Sequence, residues 1–207
     1  MFPFDLEADR LRRSYLRRRQ IITENGVSRP RERDNIIKVE RQRSLWRWRE
    51  RLLELPASGP GALVRGAIAE HLERWVERGH GALTYRTTQV LTGHGVFEFY
   101  LFKIGSWVSP ICFCYHATAD TSVHTLLFCP AWVEQRGEIL DVIGVDRTYE
   151  AMVRAIMLSG NVWTVFMTFC ERVMKKKEED ERAGERRVIR APEDALVPQA
   201  DTSDSEE

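Results

Sequence analysis

Leu45, Trp48, Leu52 and Leu55 recur at spacings of three and four, and this period constrains the chain more than any other feature. Residues spaced in this way share one side of an α-helix. The same period returns along most of the sequence. Residues 5–19, "DLEADRLRRSYLRRR", set Leu6, Leu11, Tyr15 and Leu16 near one face. "NGVSRPRERD" breaks that helix with Gly26 and Pro30, and a second helix is expected over about 33–55. "LPASGPG" makes a turn, and a third helix fits 62–78 on Leu63, Ile68, Leu72 and Trp75. "TQVLTGHGVFEFYLFKIG" reads as two short helices joined at Gly93-His94-Gly95, with His94 in a helix-ending turn. Three amphipathic helices are expected near 130–143, 148–158 and 161–177.

The expected fold is therefore mostly α: several amphipathic helices, a zinc-knuckle-like Cys/His insert and a disordered acidic C-terminal tail. The segments are a basic helical stretch at 1–55, a helical connection at 56–110, the Cys/His box at 111–132, C-terminal helices at 133–177 and the tail at 178–207. The tail carries almost no large apolar groups, which predicts disorder. A chain of 207 residues with 43% hydrophobic content can bury one good core.

Residues 112–129, "CFCYHATADTSVHTLLFC", interrupt the helical pattern and hold most of the chain's cysteines. The ligand candidates are Cys112, Cys114, His124 and Cys129, in the order C-x-C-x9-H-x4-C. Zinc takes thiolate and imidazole together in a tetrahedron, and ligands at both ends of a loop can reach that geometry. His124 and Cys129 fall on a helix expected to open at Asp120 or Thr121, where positions four to five apart point roughly the same way. His116 is an alternative ligand. Four protein ligands close the coordination sphere and leave no place for an activated water. The box then reads as structural or nucleic-acid-contacting. The competing reading makes Cys112, Cys114 and Cys129 small buried apolar groups, as Cys170 is expected to be. No Tyr-x-Asp-Asp, Gly-x-Ser-x-Gly or phosphate-loop motif is present.

The formal net charge of zero conceals a segregation. Residues 1–55 carry a net +6, from 15 Lys/Arg against 9 Asp/Glu; residues 56–174 carry −2 and residues 175–207 carry −4. Such asymmetry points to nucleic-acid or membrane partners plus an acidic tail. Arg10, Arg13 and Arg17 on the first helix, and Arg43, Arg47 and Arg51 repeating every four residues on the second, are the expected phosphate contacts. Trp46 or Phe113 would stack on unpaired bases, while at least one of Trp46 and Trp48 is expected in the core. No apolar run approaches the roughly 20 residues that cross a bilayer. The N-terminal residues do not read as a secretory signal. A reducing compartment is expected, in which clustered cysteines signify metal more often than disulfides.

Two longer stretches resemble a known family. "WVERGHGALTYRTTQVLTGHGVFEFYLFKIG" followed by "CFCYHATADTSVHTLLFCPAW" is similar to the C-terminal portion of insect non-long-terminal-repeat retrotransposon Pol proteins. Within these it most resembles the type-1 retrotransposable elements. The carrying positions are Trp75, Arg78, His80 and Gly81, then Thr88-Gln89, Leu91 to Gly95 and Phe97, and finally the box with Cys129-Pro130 and Trp132 at its close. Val96 stands where the family usually has Cys, and the first two cysteines are one residue closer together than usual. The resemblance implies a segment downstream of endonuclease and reverse transcriptase domains, with no catalytic residues of its own. It implies structural zinc on Cys112, Cys114, His124 and Cys129. It further implies RNA or target DNA and the upstream polymerase domains as partners, and a nuclear location.

Overall fold

The structure, a computed structural model, describes residues 2–56, 58–59, 61–116, 118–144 and 146–190, with side chains as far as Ala183. Nine helices are described: α1 (Phe4–Asn25), α2 (Pro30–Glu54), α3 (Ala62–Ala69), α4 (Leu72–Glu77), α5 (Tyr85–Thr92), α6 (Glu98–Lys103), α7 (Val133–Ile143), α8 (Tyr149–Leu158) and α9 (Gly160–Arg190). An irregular insert separates α6 from α7. Among the described residues the only strand-like pairing is a single bridge between Ile111 and Ala119. No described helix is long and apolar enough to cross a membrane.

Local chemistry sets most of the boundaries. Gly26, at φ 78°, closes α1, and Pro30 opens α2 at the position where its missing N–H costs nothing. Thr84 caps α5 by accepting a hydrogen bond from the Thr87 amide. Gly93, at φ 72°, ends α5, so "TGHG" is the helix-ending turn expected of it, with His94 resting on Tyr100. Two expectations need correction. The helix expected over 62–78 bends at Glu70–His71 into α3 and α4, and α4 lays Trp75 against Trp163 with ring centroids 6.2 Å apart. The last helix continues past Lys177 to Arg190. Opposite charges spaced four apart, Lys176–Asp180 and Glu178–Arg182, support its surface, and Arg86 on α5 binds both Glu171 and Glu178 at 2.8 Å. The rest of the expected disordered tail, residues 191–207, lies outside the described residues.

The core forms where α5, α7 and α8 meet α9. Trp163, Phe166, Phe169, Cys170, Val173 and Met174 line one side of α9 and bury against Val90, Leu126, Ile139, Met152 and Ile156. Cys170 is fully buried there, as its sequence context suggests. The Tyr149 hydroxyl, buried in the same core, donates to the Leu91 carbonyl at 2.7 Å.

The α1–α2 hairpin is built differently. Buried apolar side chains are few, Leu6, Ile36 and Leu45, and a charge cluster is buried beside them. Glu40, with no exposed surface, accepts from Arg13 at 2.6 Å and pairs with Arg17 at 3.0 Å, while Arg13 also reaches Asp9 and Ser44. Asp9 and Asp5 pair with Arg47 and Arg51 across the hairpin. Phe4, Leu11 and Tyr15 point outward, with Phe4 89% exposed. A buried carboxylate is tolerated only while its cations stay in place. Glu40→Ala leaves Arg13 in the interface with Asp9 as its remaining carboxylate and Ser44 as a neutral acceptor; urea unfolding should register a loss of about 3 kcal/mol, whereas an unchanged midpoint would show that the hairpin does not depend on this pair.

Candidate metal centre

The insert brings three of the expected ligands together. Ligand atoms of Cys112, His124 and Cys129 all lie within 4.8 Å of one another, and all three residues are buried. The group can hold a metal ion. Cys112 Sγ and Cys129 Sγ stand 3.8 Å apart. A tetrahedral site with thiolate–metal bonds of about 2.3 Å requires an S–S edge of about 3.8 Å, so these two sulfurs already have the spacing of ligands.

A small hairpin presents Cys112. The Cys112 amide donates to Thr118 O at 2.8 Å and the Asp120 amide to Pro110 O at 2.9 Å, so residues 110–112 and 118–120 run side by side. The turn between them closes when the His116 amide donates to Cys112 O at 2.8 Å, with His116 at φ 52°. His116 itself is exposed and outside the ligand group.

His124 and Cys129 come from a widened helical turn. Thr121 Oγ1 accepts from the His124 amide at 3.1 Å and so opens the helix, as expected of one of the two candidate caps. In a regular α-helix, residues five apart point about 140° away from each other. The expectation that His124 and Cys129 share a direction on such a helix therefore needs correction. The Cys129 amide donates to His124 O at 2.7 Å, a bond five residues long in place of the usual four. That extra residue brings Cys129 beneath His124, in the manner of the π turns that recur at functional sites.

The donor set suits a cation. His124 Nδ1 lies 3.2 Å from Thr118 Oγ1, while buried Nε2 has no hydrogen-bond partner. Metal-bound imidazoles are commonly oriented by such a bond at the second nitrogen. Burial lowers the His124 pKa, keeping the ring neutral and able to donate a lone pair. Burial pushes the Cys129 thiol up to about 11, with Cys112 adding to the effect. Cys114 is exposed at the turn and stands outside the group of three. Its pKa is raised by partial shielding of the thiol from water and then by neighbouring Cys112, which places it in the electrostatic range of the site.

Two supporting residues carry no ligand pattern in the sequence. Arg136, buried, donates to Leu127 O at 3.1 Å and to Cys129 O, so it caps the carbonyls at the end of the widened turn. Its signal was a charge at a core position: Trp132, Arg136, Ile139 and Ile143 follow the apolar spacing of α7. Asp120, also buried, accepts from Thr125 Oγ1 at 2.9 Å, the Glu98 amide at 3.0 Å and Lys177 Nζ at 2.6 Å. One carboxylate thereby ties the insert to α6 and α9.

The expected phosphate contacts are placed as follows. Arg10 pairs with Glu7; Arg13, Arg17, Arg47 and Arg51 are held by carboxylates of the α1–α2 hairpin; Arg43 is exposed without an ion pair among the described residues. Trp46 is 61% exposed, while Trp48 is half-buried against Phe2. No family model, curated protein or solved structure matches the chain.

Arg136→Met removes both carbonyl caps while keeping the bulk of the side chain. The variant should lose about 2–3 kcal/mol of stability and bind metal about 10–100-fold more weakly in chelator competition; wild-type metal affinity in a folded variant would remove Arg136 from any supporting role.

Proposed function

We propose that the chain is the zinc-clamped, nucleic-acid-binding C-terminal segment of a non-long-terminal-repeat retrotransposon Pol polyprotein. In this reading it supports target-primed reverse transcription in the nucleus, beside polymerase domains that lie elsewhere in the polyprotein. The single observation that carries the reading is the convergence of Cys112, His124 and Cys129 at the position where the resemblance expects a zinc box. Two thiolates and an imidazole match zinc better than magnesium or calcium, which prefer oxygen. Cys114, two residues from Cys112, is the fourth ligand in this reading, reaching the ion through a change in its exposed turn. The zinc would then hold the hairpin of Cys112 to the widened turn of His124 and Cys129, with no coordination site left for hydrolysis.

Nucleic acid would meet the outer side of the basic hairpin. Arg12, Arg18 and Arg19 on α1 and Arg43 on α2 are exposed and carry no ion pair among the described residues. Tyr15, 61% exposed, lies among the first three, and Trp46 follows Arg43 by three residues. Unpaired arginines interleaved with aromatic rings form the pattern that grips a strand backbone and stacks its bases. The paired arginines hold the hairpin in shape and would reach phosphate only by releasing a carboxylate.

A second reading is favoured by the same surface. Phe4 and Leu11 are apolar, exposed and aligned on the outside of α1. They fit a segment that packs on neighbouring domains of the polyprotein, with the knuckle purely structural. Salt titration separates the two. If Arg12, Arg18, Arg19 and Arg43 contact phosphates of single-stranded RNA, log affinity should fall with log salt at a slope of about −3. The fourfold glutamine variant should abolish most of that slope while its helicity stays unchanged. Absence of RNA retention at 50 mM salt, or a slope insensitive to the four substitutions, would reject the nucleic-acid reading in favour of the packing one.

A further inference from the structure

A cavity of about 310 Å³ lies between α6, the tip of the knuckle and the outer part of α9. Three aromatic side chains line it: Trp107, Phe113 and Trp132. Phe113, 73% exposed at the knuckle tip, lacks the burial expected of a core residue. The charged groups at the cavity are Glu98, Asp180 and Glu181 against one ammonium, Lys177.

Lys177 shows what this corner of the protein attracts. Its ammonium donates to Asp120 at 2.6 Å, lies 3.5 Å from Glu98 and sits 5.6 Å from the centre of the Phe97 ring. An ammonium is thus already held here by carboxylates and an aromatic face. Asp180 pairs with Lys176 in an exposed bridge, which a competing cation displaces at little cost. Glu98, Asp120 and Asp180 stand against Lys176 and Lys177, and this excess of one carboxylate opposes phosphate, so a nucleotide is a poor occupant. A neutral apolar molecule would fill the aromatic walls without using the charge.

We propose that this cavity binds a methylated ammonium group, carried either by a small quaternary amine or by a methylated lysine of a peptide. Aromatic faces attract such a cation through their negative π surface, most strongly when it sheds water. Methylation makes that shedding easier than for a bare ammonium. The volume lies at the lower end of the range for small-molecule sites, which suits a trimethylammonium head and a short alkyl stem. The site is separate from the hairpin arginines and holds whether or not those bind nucleic acid; it shares the turn of Phe113 and Cys114 with the metal centre and is proposed for the form in which Cys114 stands outside the ligand group.

The test uses the full chain and the indole N–H resonances of its tryptophans. Choline is titrated against its uncharged isostere, 3,3-dimethylbutan-1-ol. Saturable shifts confined to Trp107 and Trp132 are expected with choline, and at least about tenfold weaker binding of the isostere. Asp180→Asn combined with Glu181→Gln should weaken choline severalfold and leave the other indole signals in place. A peptide bearing trimethyllysine, compared with choline, assigns the source: tighter peptide binding identifies a protein ligand, and tighter choline binding a free amine. Equal binding of the isostere, no shift at Trp107 and Trp132, or stronger binding of adenosine monophosphate would overturn the proposal.

Discussion

The hydrogen bond from the Cys129 amide to the His124 carbonyl is the constraint on which the candidate centre depends. Without its extra residue, the helix would turn His124 and Cys129 away from each other, and Cys112 would face an imidazole or a thiol but not both. At the end of the widened turn Arg136 donates to the Leu127 carbonyl and, together with the Trp132 amide, to the Cys129 carbonyl. Placing a guanidinium there is unfavourable by itself, since burial lowers its pKa. A thiolate at Cys129 would offset that charge, so the buried arginine and a metal-bound sulfur, if the ion is held as proposed, would support one another electrostatically.

Asp120 extends this local arrangement to the rest of the fold. Its two oxygens accept from Thr125, the amide of Glu98 and Lys177. The insert is consequently tied to α6 and α9, whose other side carries the aromatic core. The α1–α2 hairpin stands apart from this system, joined to α3 and α4 through α2, and holds itself together by charge around Glu40. Cohesion therefore differs along the chain: extensive apolar burial on α9, and in the hairpin a few buried apolar side chains, Leu6, Ile36 and Leu45, beside the compensated ions.

Much of this was legible in the sequence because it follows from period and spacing. The threes and fours located the helices, Gly26 and Gly93 marked two of their ends, and the clustering of cysteine with histidine located the donor group. Other features depend on relations that a linear pattern does not carry. The outward turn of Leu11 and Tyr15 follows from Glu40 lying opposite Arg13, a pairing across the hairpin. The length of α9 beyond Lys177 rests on alternating charges and an anchor to Arg86 rather than on apolar residues. The register shift between His124 and Cys129 required a backbone bond of unusual span. Arg136 alone left a readable trace, as a charge in an apolar stripe.

Cobalt substitution tests the central claim most directly, because cobalt reports both ligand type and geometry in its visible spectrum. The account predicts one equivalent of tetrahedral cobalt with thiolate charge-transfer bands, lost in Cys112→Ser and in His124→Ala. A weak six-coordinate spectrum, identical in the wild type and both variants, would contradict it.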